Sequence, residues 1–165
     1  MQELWRELIA ALTETLALYR HMLELSENKK NVLVRGKPVE LEAINREEES
    51  LLLQGKELEH RRAKATAGLV TACGLTNDKP TLAELADVAE PEAAKRLLSL
   101  KEDFSTVLQE LSRLNSVNAK LTEQALAFVN YNLNLLTRRQ AEPTYAPAGA
   151  AFRESAMSAL LDRKV

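Results

Sequence analysis

The chain has 165 residues, with 22 Lys and Arg against 24 Asp and Glu, a net charge of −2 and only 4% aromatic residues. That length suits one domain, the mixed charge offers no basic patch for nucleic acid, and no apolar run nears the roughly 20 residues that cross a bilayer. The prevalence of Leu, Ala, Glu, Lys and Arg points to long helices, and to a coiled coil with a thin core filled by leucine.

The first element is expected from about Gln2 to Val34. Trp5, Leu8, Leu12, Tyr19 and Met22 recur at helical spacings, and Ile9, Leu16 and Leu23 thicken the stripe. An amphipathic helix with one broad apolar face follows from that pattern. Glu3 and Glu7 interrupt what a secretory signal would keep basic and then apolar. The expected location is therefore cytoplasmic, without membrane insertion. Arg35-Gly36-Lys37-Pro38 then punctuates the chain.

A second helix is expected from near Val39 to about Val70, on Leu41, Ile44, Leu51, Leu58 and Ala65. Glu48 and Gly55 fall on the same stripe and weaken it, so a bend or local exposure is expected there. Thr81-Leu82-Ala83-Glu84 reads as a capping box opening a short helix that ends near Glu90. Pro91 suits the first turn of the next helix, where a missing N–H costs nothing.

The third long helix is expected from Pro91 to about Gln140. A heptad frame fits it, with one seam row of Leu97, Phe104, Leu111, Asn118, Ala125 and Asn132. The other row is Leu100, Val107, Leu114, Leu121, Phe128 and Leu135. A strict seven-residue repeat implies a left-handed coiled coil, spanning roughly 75 Å at this length. The expected partner is the first or second helix, folded back antiparallel. The fold class is thus all-α: a long antiparallel helical hairpin or coiled-coil bundle of three main helices with a short connecting helix. Residues 1–140 are expected to form this bundle. Residues 141–165, with Pro143, Pro147 and Gly149, are expected to be a mobile tail carrying one short amphipathic helix on Phe152, Met157, Leu160 and Leu161.

Residues for catalysis or metal binding do not assemble. Glu47, Glu48 and Glu49 point in three directions on a helix. Glu57-Leu58-Glu59-His60 contains Glu-x-x-His, but a di-iron bundle needs a second copy, and Leu18 stands three residues before His21. Cys73 has no histidine or basic neighbour to activate it. No enzyme, metal or cofactor is expected.

The asparagines of the third helix raise the functional question. Asn118 and Asn132 share a seam row, and Asn115 lies one turn before Asn118; Asn130 and Asn134 lie on other faces. Seam asparagines fix register at a cost in stability. They also suit a groove that stays in water until a client helix fills it, with Leu121, Phe128, Val129 and Leu135 as anchors. Both readings stand on the residues alone, and a coiled-coil adaptor without chaperone activity is the competing function. Exposed seams also self-associate, which leaves a homo-oligomer open.

The ordered pieces resemble the FlgN family of flagellar type III export chaperones. The resemblance rests on Leu25–Val34, on Leu41, Ile44, Glu48, Leu51, Leu58 and Arg62, and on Asn115-x-x-Asn118 followed by Glu142-Pro143-Thr144-Tyr145 and Gly149. The chain departs from the family's pattern at Ala146-Pro147-Ala148 and in the long Thr71–Glu90 connection. The resemblance implies a chaperone that holds the C-terminal helical segments of the hook–filament junction proteins FlgK and FlgL, prevents their premature assembly, and delivers them to the export gate component FlhA. It implies client contacts at Asn115, Asn118, Leu121, Ala125, Phe128, Val129 and Asn132, and gate docking at Tyr145.

Overall fold

A computed structural model describes residues 1–140, with side chains described through Thr137. Four helices follow in chain order: α1 (Gln2–Arg35), α2 (Pro38–Cys73), α3 (Leu82–Val88) and α4 (Pro91–Gln140). The all-α class expected from the composition is met. The chain divides into two compact units, Met1–Ala127 and Phe128–Val165. The tail expected over 141–165, its short helix and Tyr145 lie outside the described residues.

In the first unit, each break has a local cause. α1 ends because Gly36 adopts a left-handed conformation at φ 64°, which a residue without Cβ does at little cost. Its N–H donates to Leu33 O at 3.2 Å, and Lys37 N–H donates to Val32 O at 3.3 Å. These paired bonds satisfy carbonyls that the helix end leaves open. Pro38 then opens α2 with its φ already suited to a helix. Gly74 repeats the left-handed stop at φ 66°. Thr81 and Glu84 form the expected capping box. Glu84 N–H donates to Thr81 Oγ1 at 3.2 Å, and Thr81 N–H donates to Glu84 Oε2 at 2.6 Å. Pro91 begins α4, as the sequence suggested.

α1 and α2 form the antiparallel hairpin. Leu18, Leu25 and Val32, seven residues apart, pack with Ile44 and Leu51, and Leu41 and Leu58 flank them. Polar pairs also join the two helices: His21 meets Glu47 at 3.0 Å and Lys29 meets Glu48 at 2.7 Å. Nearer the start of α1, Arg61 forks between Glu14 at 2.7 Å and Glu7 at 3.0 Å. Those bonds, Glu14's first, hold the Arg61 guanidinium even further above its usual pKa. Glu48 and Gly55 leave α2 unbroken. The weak stretch of seam is bridged by ion pairs on its flanks.

The larger core joins all four helices. Trp5, Leu8, Leu12 and Leu16 of α1 meet Ala65 and Leu69 of α2, Leu85 and Ala86 of α3, and Leu97, Leu100, Phe104 and Val107 of α4. Each fully buried leucine contributes about 1.5–3 kcal/mol relative to exposure. Tyr19 and Phe104 add an edge-to-face contact with ring centres 6.0 Å apart, the geometry that the ring quadrupoles favour.

Of the two helices expected as α4's antiparallel partner, α2 runs antiparallel to it and shares its core, whereas α1 does not run antiparallel. α4 packs on α1, and the two run parallel. Arg20 pairs with Asp103, and further along both helices Ser26 meets Asn115 and Asn118. The reason is topological. α1 and α2 reverse direction once, and the α3 segment reverses it again, so α4 starts at the same end as α1. A heptad pattern marks which residues face a partner, but it does not encode the partner's direction.

Candidate functional site

The heptad frame of α4 is a seam only in part. Leu97, Leu100, Phe104, Val107, Leu111, Leu114 and Asn118 are all buried. Leu121 is half-buried and Ala125 is exposed. Within the second unit, Phe128 is 68% exposed and Leu135 is also exposed, although both continue the row of Leu114.

The last buried layer is polar on both sides. Asn118, only 4% exposed, donates its Nδ2 proton to Ser26 O at 2.8 Å. Ser26, also buried, donates from Oγ to Asn115 Oδ1 at 3.2 Å. The 92-residue offset between Ser26 and Asn118 also relates Trp5 to Leu97, Leu12 to Phe104 and Tyr19 to Leu111. Ser26 and Asn118 are thus the fourth members of two facing seven-residue rows. The same offset relates Leu33 to Ala125, and α1 ends two residues after Leu33. The seam of the first unit stops where α1 stops.

A cleft of about 420 Å³ opens beside the polar layer, lined by Met22, Lys29, Glu48, Leu52, Asn115 and Ala119, among others. Asn118 Oδ1 is buried and accepts no hydrogen bond from the protein. Leaving a buried acceptor unpaired costs about 1–3 kcal/mol. The Asn118–Ser26 bond ties α1 to α4 in the register given by the 92-residue offset.

The second unit's described helix, from Phe128 on, has a different surface. Phe128, Val129, Tyr131, Leu133, Leu135 and Leu136 are all exposed. Asn132 is half-buried and folds back, its Nδ2 donating to Phe128 O at 2.9 Å. Fourteen residues from Gln124 to Thr137 carry no formal charge, in a chain where 28% of residues are charged. A helix in water without charged side chains and with six large apolar groups exposed is a surface prepared for contact.

The predicted client residues therefore separate. Asn118 points inward and holds α1 to α4, and Asn115 is exposed but engaged by Ser26. Ala125, Phe128 and Val129 are exposed, and Leu121 and Asn132 are half-buried. The heptad frame passes over Tyr131, Leu133 and Leu136, which lie off its two rows. The missing charge between Gln124 and Thr137 is the signal that marks them. Among the described residues no three or more His, Cys, Asp or Glu side chains group where they could hold a metal ion. Nor is any described helix long and apolar enough to cross a membrane.

The described residues are helical, and the last long helix keeps an uncharged apolar stretch exposed, the kind of face that helix-mediated recognition uses. Residues 1–152 match the family model described as FlgN protein. The chain belongs to the FlgN family and, with it, to the chaperones of flagellum assembly. It is 28% identical over 160 residues to a Bacillus subtilis (strain 168) protein described as "Uncharacterized protein YvyG", an alignment covering 96% of this chain and 98% of that one. No solved structure matches it.

Proposed function

We propose that this chain is a cytoplasmic export chaperone that holds C-terminal helical segments of the hook–filament junction proteins FlgK and FlgL on α4, and hands them to the export gate component FlhA. One observation carries the reading. The side chains that continue α4's buried seam become exposed without losing their apolar character, as Leu114 and Phe128 show on one row. Leu121 and Ala125 of the first unit, and Phe128, Val129 and Asn132 of the second, are the client-contacting residues. Asn115 and Asn118 act indirectly, by fixing the register of α1 and α4. An amphipathic client helix gains about 25 cal/mol for each Å² of apolar surface it buries there. Part of that gain is spent in ordering the client, which leaves an affinity compatible with release.

The test is co-expression with the C-terminal segment of a junction protein, followed by gel filtration. A stable complex is expected from the native chain, and none from Leu121→Asp with Phe128→Asp, with helicity retained by circular dichroism. Unchanged client affinity in that variant defeats the assignment. Tyr145, which the family resemblance assigns to gate docking, is expected to affect binding to FlhA and not to the client when changed to Ala.

A further inference from the structure

The exposed stretch of α4 is wider than a single partner helix covers. At about 100° per residue, Tyr131, Leu135 and Phe128 fall together on one side of the helix. Leu136, Val129 and Leu133 make a second row. Asn132 lies between the two rows, with its amide folded onto Phe128 O at 2.9 Å. Asn130, Asn134 and Thr137 occupy the remaining face. Together the two rows cover about 200° of the helix, whereas one packing contact uses a stripe of about 100°. All six apolar side chains are exposed.

We propose that the Phe128–Leu136 surface is gripped by two client helices at once, one on the row of Phe128, Tyr131 and Leu135 and the other on the row of Val129, Leu133 and Leu136. This rests on the chaperone reading above and goes beyond it by setting the number of helices the client supplies. A single helix would leave one apolar row in water. The absence of charge from Gln124 to Thr137 means that both client faces are apolar, with a hydrogen-bonding group where they meet Asn132 Oδ1.

The experiment uses the full chain and two C-terminal fragments of a junction protein, one containing a single amphipathic helix and one containing two. Tyr131→Gln with Leu135→Gln disables the first row, and Val129→Gln with Leu133→Gln disables the second. Glutamine keeps helix propensity, and circular dichroism checks that helicity is retained. Each double variant is expected to weaken the two-helix fragment by about tenfold or more, a loss of about 1.4 kcal/mol. The one-helix fragment is expected to respond to one variant only. If the two-helix fragment also responds to one row only, or to neither, the two-helix grip is wrong. The chaperone reading survives that result as long as Leu121→Asp with Phe128→Asp still abolishes binding. If that variant is silent as well, the client surface itself is misplaced. A stable oligomer of the free chain that shields both rows in sedimentation and hydrogen exchange would assign the surface to self-association and overturn the proposal.

Discussion

The side-chain amide of Asn118 donates to the main-chain carbonyl of Ser26 at 2.8 Å across α1 and α4. That bond joins residues 92 positions apart and closes the buried part of α4's seam. The side-chain carbonyl oxygen of Asn118 has no protein partner, so the layer is polar but incompletely satisfied. Removing both polar side chains is expected to be neutral or stabilising, because the unpaired acceptor goes with Asn118 and the Ser26 main-chain carbonyl, inside α1, keeps its helical partner. Ser26→Ala with Asn118→Leu should therefore unfold in urea at the same or a higher midpoint. Asn118→Asp should lose about 1–3 kcal/mol, since it buries a carboxylate beside a carbonyl oxygen. A destabilised double variant would show that the layer contributes net stability.

The capping box of α3 makes a pH-dependent prediction. The Thr81 backbone N–H holds the Glu84 carboxyl below the usual carboxylate range, with Thr81's hydroxyl and Asn77 assisting. A depressed folded pKa contributes stability above the unfolded value, and that stability is lost as pH falls through the lowered one. Glu84→Gln keeps a capping side chain but cannot titrate. The native chain's advantage over Glu84→Gln should shrink as pH falls below the ordinary glutamate range. Thr81→Ala should cost about 1 kcal/mol at neutral pH, read from thermal unfolding.

Much of this architecture is legible in the sequence, and the gaps have physical causes. The two rows of α4 can be assigned because seven-residue spacing shows in residue type. Where burial ends cannot, because the same spacing continues past Asn118 while the end of α1 at Arg35 is set by Gly36 on another helix. The parallel direction of α1 and α4 is hidden for a related reason: direction depends on how many times the chain turns. Ser26 gives no signal, since a serine inside an apolar row looks like a surface residue until its partner is known. Tyr131, Leu133 and Leu136 are detectable through the uncharged run around them, but a heptad frame looks only at its own two rows.

Arg61 links the far part of α2 to the first turns of α1. Its fork to Glu14 and Glu7 lies at the surface, where ion pairs contribute little and are screened by salt. Arg61→Ala is expected to lower the urea midpoint slightly at low salt, with the difference from the native chain narrowing at high salt. Urea unfolding at two ionic strengths measures it. A loss that does not change with salt would mean that packing of the arginine stem, rather than charge, is what matters there.

Leu114 and Phe128 occupy the same seam row two heptads apart and should behave in opposite ways. Leu114 is fully buried, and Leu114→Ala should cost about 2–5 kcal/mol through lost burial and the cavity left behind. Phe128 is 68% exposed, so Phe128→Ala should change stability by less than about 0.5 kcal/mol. Client binding should invert the order. Phe128→Ala should weaken it markedly, whereas Leu114→Ala should weaken it only to the extent that the chain is unfolded at the temperature of the assay. Urea midpoints and client affinities measured on the same two preparations separate the two roles. If Phe128→Ala destabilised the free chain as strongly as Leu114→Ala, the ring would be part of the chain's own core and unavailable to a client.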